Sequence, residues 1–225
     1  MTESISQVSE EDLARIQKGV TEAELRTAAE IVPVIASESG RYDRAEDFVG
    51  VVMALAAVAI TWVCWPPHVE EVGAWDASRP GWQLLAFLAA MILGFFAGIW
   101  LATRWSFLRR LATPSEEMEE DVLERACFIF HMLHLRKTRG QNALLIYVSL
   151  YEHRAVILAD QGILAVLAQE GVDDLCRLLT ERMSKDSLAD AMEATIAEAG
   201  RRLTGLLPRP DDDTNELPDK VILLP

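Results

Sequence analysis

The sequence predicts an α/β protein: a small mixed sheet with covering helices, interrupted by a two-helix transmembrane hairpin. Three observations predict it. Two long uncharged apolar segments lie in the first half of the chain, β-branched runs occur on both sides of them, and capped helical stretches flank those runs.

Phe48 to Pro67 is 20 residues without a formal charge, and Pro80 to Thr103 is 24. At about 1.5 Å per residue each is long enough for a hydrocarbon core of about 30 Å. Trp62 and Trp65 close the first segment, Trp82 opens the second, and Trp100 and Trp105 close it, where an aromatic belt belongs. A chain of 225 residues is too small to enclose both segments as core helices. Arg41 and Arg44 precede the first, and Arg104, Arg109 and Arg110 follow the second. The stretch between them holds Arg79 against Glu70, Glu71 and Asp76. The positive-inside rule then places both termini in the cytoplasm of a two-pass protein. Gly94 and Gly98 form a GxxxG spacing, which either lets the two helices approach closely or mediates a homodimer. Neither segment carries a formal charge, as an anchor requires and a transport path does not. The first 47 residues lack a basic stretch followed by an apolar one, so no signal peptide is expected there.

Outside the hairpin, Ser9 reads as an N-cap with Asp12 at N3, and Leu13, Ile16 and Val20 have helical spacing. Thr21 to Glu24 resembles a second capping box opening a short helix through about Ala29. Glu30 to Ala36 reads as a strand, with Pro33 favouring an edge or bulge. Thr113-Pro114, with Glu116 and Glu117 behind it, opens a helix to about Lys137. Thr138 to Gln141 is a loop. Asn142 to Leu150 is a nearly continuous apolar run, which predicts a buried central strand, and Ala155 to Ala159 is the next strand. Asp160 to Ile163 turns out of it, and helices follow at about Val172–Met183 and Ser187–Thr204. This divides the chain into 1–47, with the first helices and strand; 48–105, the hairpin; 106–207, the rest of the sheet domain; and an acidic, Pro-rich tail, 208–225, ending in the apolar run Val221–Pro225.

Asp and Glu number 35 against 21 Lys and Arg, a net charge of −14. That argues against a nucleic-acid binder, which needs a basic surface, leaves a divalent cation open as a ligand, and favours a basic protein surface as partner. Cys64, Cys127 and Cys176 form neither a disulfide framework nor a CxxC pair, which fits a reducing compartment. Asp160, at a strand end and beside a glycine, is the candidate centre of a metal site, with Asp43, Asp173 and Asp174 as candidate partners. Hard oxygen ligands of this kind suit Ca²⁺ or Mg²⁺. The competing reading is that Asp160 caps a turn and Asp173 and Asp174 serve helix amides. Glu152 belongs to the opposite end of the strand. Cys176 to Arg182 satisfies a C-x5-R pattern but reads as helix, without the glycine loop a cysteine phosphatase needs. Cys127, His131 and His134 have zinc-like spacing among core-type neighbours and read as a packed helix face. Arg109 and Arg110, at the exit of the second segment, suit anionic headgroups.

Two stretches resemble the TPM domain family: Thr27-Ala-Ala-Glu30-Ile31-Val32, and Asn142, Leu144–Leu150, Arg154 and Asp160-Gln161-Gly162-Ile163. The resemblance extends over most of residues 9–207 outside the hairpin. Ala28 and Ala143 stand where the family often has glycine. The family includes bacterial membrane proteins and thylakoid proteins linked to photosystem II repair. The resemblance implies a mixed sheet between helices, held at a bacterial inner membrane. It implies an interaction module assisting assembly, repair or regulation of a membrane complex. Some thylakoid members are acid phosphatases and some relatives bind divalent cations, so the alternative it implies is a metal-dependent phosphomonoesterase.

Overall fold

In the computed structural model, which describes residues 8–40, 42–64, 81–135, 140–210 and 220–224, the chain order is α1 (Glu10–Glu24), β1 (Glu30–Ala36), α2 (Asp43–Cys64), α3 (Gly81–Arg104), α4 (Ser106–Ala112) and α5 (Ser115–Met132). It continues through β2 (Ala143–Ser149), β3 (Arg154–Ala159), α6 (Gln161–Met183), α7 (Leu188–Thr204) and β4 (Ile222–Leu224). Two units result: Arg41–Ser115 with Met1, and Thr2–Gly40 with Glu116–Pro225.

The second unit holds a four-stranded mixed sheet in the order β3-β2-β1-β4. β1 runs parallel to β2 and β4, and β2 pairs antiparallel with β3. One face carries Ile31, Ile35, Leu144, Ile146 and Val148 against α1, α6 and α7, through residues such as Ile16, Leu175 and Ile196. The other carries Val32, Val34, Leu145 and Tyr147 against Val122, Ala126 and Phe130 of α5. Helices on both faces explain why all seven residues of β2 are buried and why its sequence is continuously apolar.

β1 keeps the bounds its β-branched run predicts, and Pro33 fits for a local reason. The amide of Glu30 points to β2, donating to Asn142 O at 3.0 Å, so the next residue points away from β2. The Ile31 amide accordingly goes to the Glu24 carboxylate at 2.8 Å. Two residues on, Pro33 has no amide to place, and β4 covers this edge only from Val34 to Ala36. The apolar tail, whose docking place the sequence left open, is this short strand.

Three expectations are corrected. Thr21 opens no second helix: it lies inside α1, its hydroxyl donating to Gln17 O at 3.2 Å, while Ile16, Val20 and Ala23 carry one buried stripe through it. Tertiary packing overrides the local capping signal. The Ser9–Asp12 capping box is present as expected. α5 stops at Met132, not Lys137, and His134 beyond it has φ 54°; residues 136–139 lie outside the described residues. Asp160 to Ile163 opens α6 at once, and a break at Ala168 (φ 55°, ψ 173°) separates this first segment from the helix expected at Val172.

In the other unit, α2 and α3 are long and apolar enough to cross a membrane. Their contact is built on glycine. A Cβ on Gly98 would meet Gly50 Cα at 2.8 Å and Val49 O at 2.9 Å; one on Gly94 would meet Ala57 Cβ at 2.8 Å. The GxxxG face is therefore used inside the chain, for close approach of its own two helices. Outward, Phe48, Leu55, Val63, Leu85 and Leu93 are exposed, Val63 by 77%. The segment 65–80, with Trp65 and Arg79, lies outside the described residues.

Candidate functional site

The sheet register brings together residues far apart in the chain. Glu30 of β1 pairs with Ala143 of β2. The Asp160 amide, directly after β3, donates to Ala143 O at 2.9 Å. Glu30, Ala143 and Asp160 thus form a row across three adjacent chain segments, with the smallest side chain in the middle. Neighbouring strands lie about 4.8 Å apart, so the two acidic residues stand about 10 Å apart at the backbone, over a methyl group. Both are buried, Glu30 at 7% and Asp160 at 4% exposure.

Asp160 is the N-cap of α6, and its Oδ1 accepts the Gln161 amide at 2.8 Å. The capping role expected of it is therefore present. It uses one oxygen only: Oδ2 is buried without a hydrogen-bond partner. Such an atom costs on the order of 1–3 kcal/mol unless water or a cation meets it. The loop before β2 closes over the same place. Gln141 has φ 52°, and its carbonyl accepts the Gly162 amide at 2.9 Å. A Cβ on Gly162 would lie 2.6 Å from Gly140 O and 2.8 Å from Gln141 O, and would overlap Asn142 Oδ1. The oxygens of Gly140, Gln141 and Asn142 therefore crowd Gly162, two residues after Asp160, at the N-terminal end of β2. Carboxylate and carbonyl oxygens are donors of the kind a hard cation takes. Among the described residues no group of three or more His, Cys, Asp or Glu side chains is placed to hold a metal.

The other predicted partners of Asp160 go elsewhere. β1 ends beside Ser149, at the far end of β2 from Asp160, and Asp43 opens α2 in the other unit. Asp173 and Asp174 lie more than ten residues along α6, beyond its break. Asp173 accepts Gln169 Nε2 at 2.8 Å, and Asp174 pairs with Arg177 at 2.7 Å. A helix that starts at Asp160 carries both away from it. Glu30 of β1, and none of these three, shares the sheet row with Asp160. Its neighbour in space is set by parallel pairing with β2, which no short-range pattern in the sequence shows.

Glu152 lies at the opposite end of β2, as expected, and is almost completely buried at 2% exposure. Its Oε1 accepts the amides of Ser39 at 2.7 Å and Gly40 at 3.2 Å, and its Oε2 accepts the Ser149 hydroxyl. The Ser39 hydroxyl meets the Tyr147 hydroxyl at 2.9 Å. Burial pushes the Tyr147 phenol above its ordinary value, opposed by the Ser39 bond. This carboxylate clamps the exit of β1. A cavity of about 490 Å³ opens nearby, lined by His153, Arg154, Thr180, Ser184 and Ser187. Several of its polar groups are already engaged: Arg154 with Glu119, Thr180 with Cys176 O, Ser184 with Glu181 O, Ser187 with Asp190.

Cys176 to Arg182 is helical, inside α6. Burial raises the Cys176 thiol above its ordinary value, the reverse of an activated nucleophile, and its Sγ lies 3.4 Å from Ala155 O. His131 Nδ1 lies 2.8 Å from Cys127 O, while His134 falls beyond the end of α5.

No protein-family model matches the chain, and no curated protein matches it. A solved structure similar to it is the NMR structure of the BA42 protein from the psychrophilic bacterium Bizionia argentinensis. The two are 17% identical, with a TM-score of 0.58 over 99% of this chain and 98% of that one. At that identity the likeness is one of fold.

Proposed function

We propose that this chain is a membrane-anchored, TPM-like interaction module that assists assembly, repair or regulation of a membrane complex. In this reading α2 and α3 cross a bacterial inner membrane as a hairpin, and the sheet domain lies in the cytoplasm. The observation that carries it is the contrast on the hairpin: α2 meets α3 through glycines while both outer faces are apolar and exposed. In lipid that face needs no further cover. Arg41, Arg44, Arg104, Arg109 and Arg110 against Arg79 support the orientation. The net charge of −14 favours a basic surface on the partner complex.

The test has two parts. The protein should stay in the membrane pellet after carbonate extraction. In intact spheroplasts, with Cys64→Ser in place because that exposed thiol ends α2 on the loop side, an impermeant maleimide should label a cysteine introduced by Ser78→Cys and leave Cys127 unlabelled until the membrane is opened. Extraction by carbonate would remove the anchor, and the reverse labelling would invert the topology. The module role is then tested by native purification from membranes. A companion at fixed stoichiometry that dissociates at high salt supports it, and a chain that purifies alone at low salt opposes it.

The buried Asp160 Oδ2 favours a second reading, a divalent-metal-dependent phosphomonoesterase. Asp160 and Glu30 would hold Ca²⁺ or Mg²⁺, with Asn142 and the carbonyls before it, and the ion would supply Lewis-acid polarisation of a phosphoryl oxygen. Calorimetric titration of wild type beside Asp160→Asn, followed by a phosphomonoester assay, tests it. Cation binding lost in the variant supports the site, and hydrolysis lost with it supports the activity. No binding by folded wild type ends this reading.

A further inference from the structure

We propose that α4 is an interfacial helix lying along the bilayer surface, with anionic lipid headgroups as its partner. The proposal rests on the hairpin reading above. α4 has 7 residues and leaves α3 almost without interruption: the Trp105 amide donates to Leu101 O at 2.9 Å and the Leu108 amide to Trp105 O at 2.9 Å. It packs against both α2 and α3, so it belongs to the hairpin. Leu108 and Ala112, four residues apart, are partly buried. Phe107 and Leu111, also four apart, are exposed by 71% and 74%, and Trp105 beside them by 57%. Three large apolar side chains on so short a segment are unfavourable in water and suited to the boundary between headgroups and acyl chains.

Charge chooses the lipid. From Gly81 to Ser115 there is no Asp or Glu, while Arg104, Arg109 and Arg110 stand within seven residues, in a chain whose net charge is −14. Arg104 is exposed. The start of α2 lies at the same end of the hairpin, because Gly50 packs on Gly98. In sequence, residues 41–47 add Arg41 and Arg44 against Asp43, Glu46 and Asp47, so the stretches 41–47 and 104–115 together carry five basic and three acidic residues, ahead of Glu116 and Glu117 at the start of α5. Basic residues at a membrane boundary draw anionic headgroups. A protein partner would need an apolar groove of its own to cover Phe107 and Leu111. The bilayer is already in place by continuity with α3.

The full chain is tested after Cys64→Ser, Cys127→Ser and Cys176→Ser, with one new cysteine, Leu93→Cys or Leu111→Cys, carrying an environment-sensitive nitrobenzoxadiazole label. It is reconstituted into phosphatidylcholine vesicles with or without phosphatidylglycerol. The label at position 93, in mid-hairpin, reports insertion. The label at position 111 should also shift to the blue, further with phosphatidylglycerol, and Arg109→Gln with Arg110→Gln should remove that extra shift. Aqueous emission at 111 beside apolar emission at 93 overturns the proposal and leaves the anchor standing. Aqueous emission at 93 overturns the anchor and this proposal together. A shift at 111 that ignores phosphatidylglycerol overturns the anionic partner.

Discussion

Glu152 and Asp160 sit at opposite ends of the same β2–β3 hairpin, both buried, and differ in how completely their oxygens are used. Glu152 accepts two backbone amides and a hydroxyl. Asp160 accepts one amide and leaves Oδ2 without a partner. Buried polar atoms are normally hydrogen-bonded, so an unpartnered one calls for an explanation. The satisfied carboxylate holds the chain where β1 leaves the sheet. The half-used one shares a sheet row with Glu30, across Ala143, and lies two residues before Gly162, on which the oxygens of the preceding loop press. One end of the sheet is thereby a joint, and the other is the better place to look for a ligand.

That contrast breaks if the two residues respond alike. Glu152→Ala should destabilise the sheet domain most, by about 3 kcal/mol, because it strands the Ser39 and Gly40 amides and the Ser149 hydroxyl. Chemical denaturation followed by far-UV circular dichroism measures it, and a loss below that of Asp160→Ala would reverse the assignment. Asp160→Asn should change stability little without cation, since Asn caps a helix as well as Asp does. Under the metal-dependent reading it should also abolish a cation-induced gain of about 2.7 kcal/mol expected for wild type at a hundredfold excess over Kd. A thermal melt with and without cation reads both, and equal gains in the two proteins would separate Asp160 from any cation.

Gly162→Ala sharpens the picture of the loop. The added methyl runs into Asn142 and the carbonyls of Gly140 and Gln141, so about 2 kcal/mol of destabilisation is expected and, under the metal-dependent reading, weaker cation binding. Denaturation beside titration checks it, and unchanged values would show that the loop yields freely. The smallest effect belongs to Glu198, whose carboxylate bonds with Arg201 and then Arg202 lower its pKa from 4.5 to about 2. A depressed pKa contributes stability that is present above the unfolded value and fades as pH falls through the folded one. The melting temperatures of wild type and Glu198→Gln should therefore differ above about pH 4.5 and converge toward about pH 2. A constant difference across that range would show that the ion pairs do not set it.

Much of this was legible in the chain. The hairpin segments need only length and composition, and β1 needs only its β-branched run. Asp160 announced itself by standing between a strand and a glycine. Its partners did not. Asp43, Asp173 and Asp174 were near in an expected topology, but α6 begins at Asp160 and carries the last two away, while Glu30 arrives by register with β2. The start of α6 was hidden by Gly162 and by the break at Ala168, which cut the helical pattern. Glu152 looked like an ordinary turn residue, because the amides it holds belong to a segment on the far side of the hairpin sequence.

The sequence by itself determined what local physics decides: two apolar helices, a strand buried on both faces, the Ser9 cap, and the glycines that let α2 and α3 meet. Only the tertiary structure decided which buried carboxylate is satisfied, that Glu30 shares a row with Asp160, and that the apolar tail closes the β1 edge as β4. These are pairings between distant segments. Hydrophobic pattern and capping chemistry act over a few residues, whereas strand register is chosen by the whole core at once.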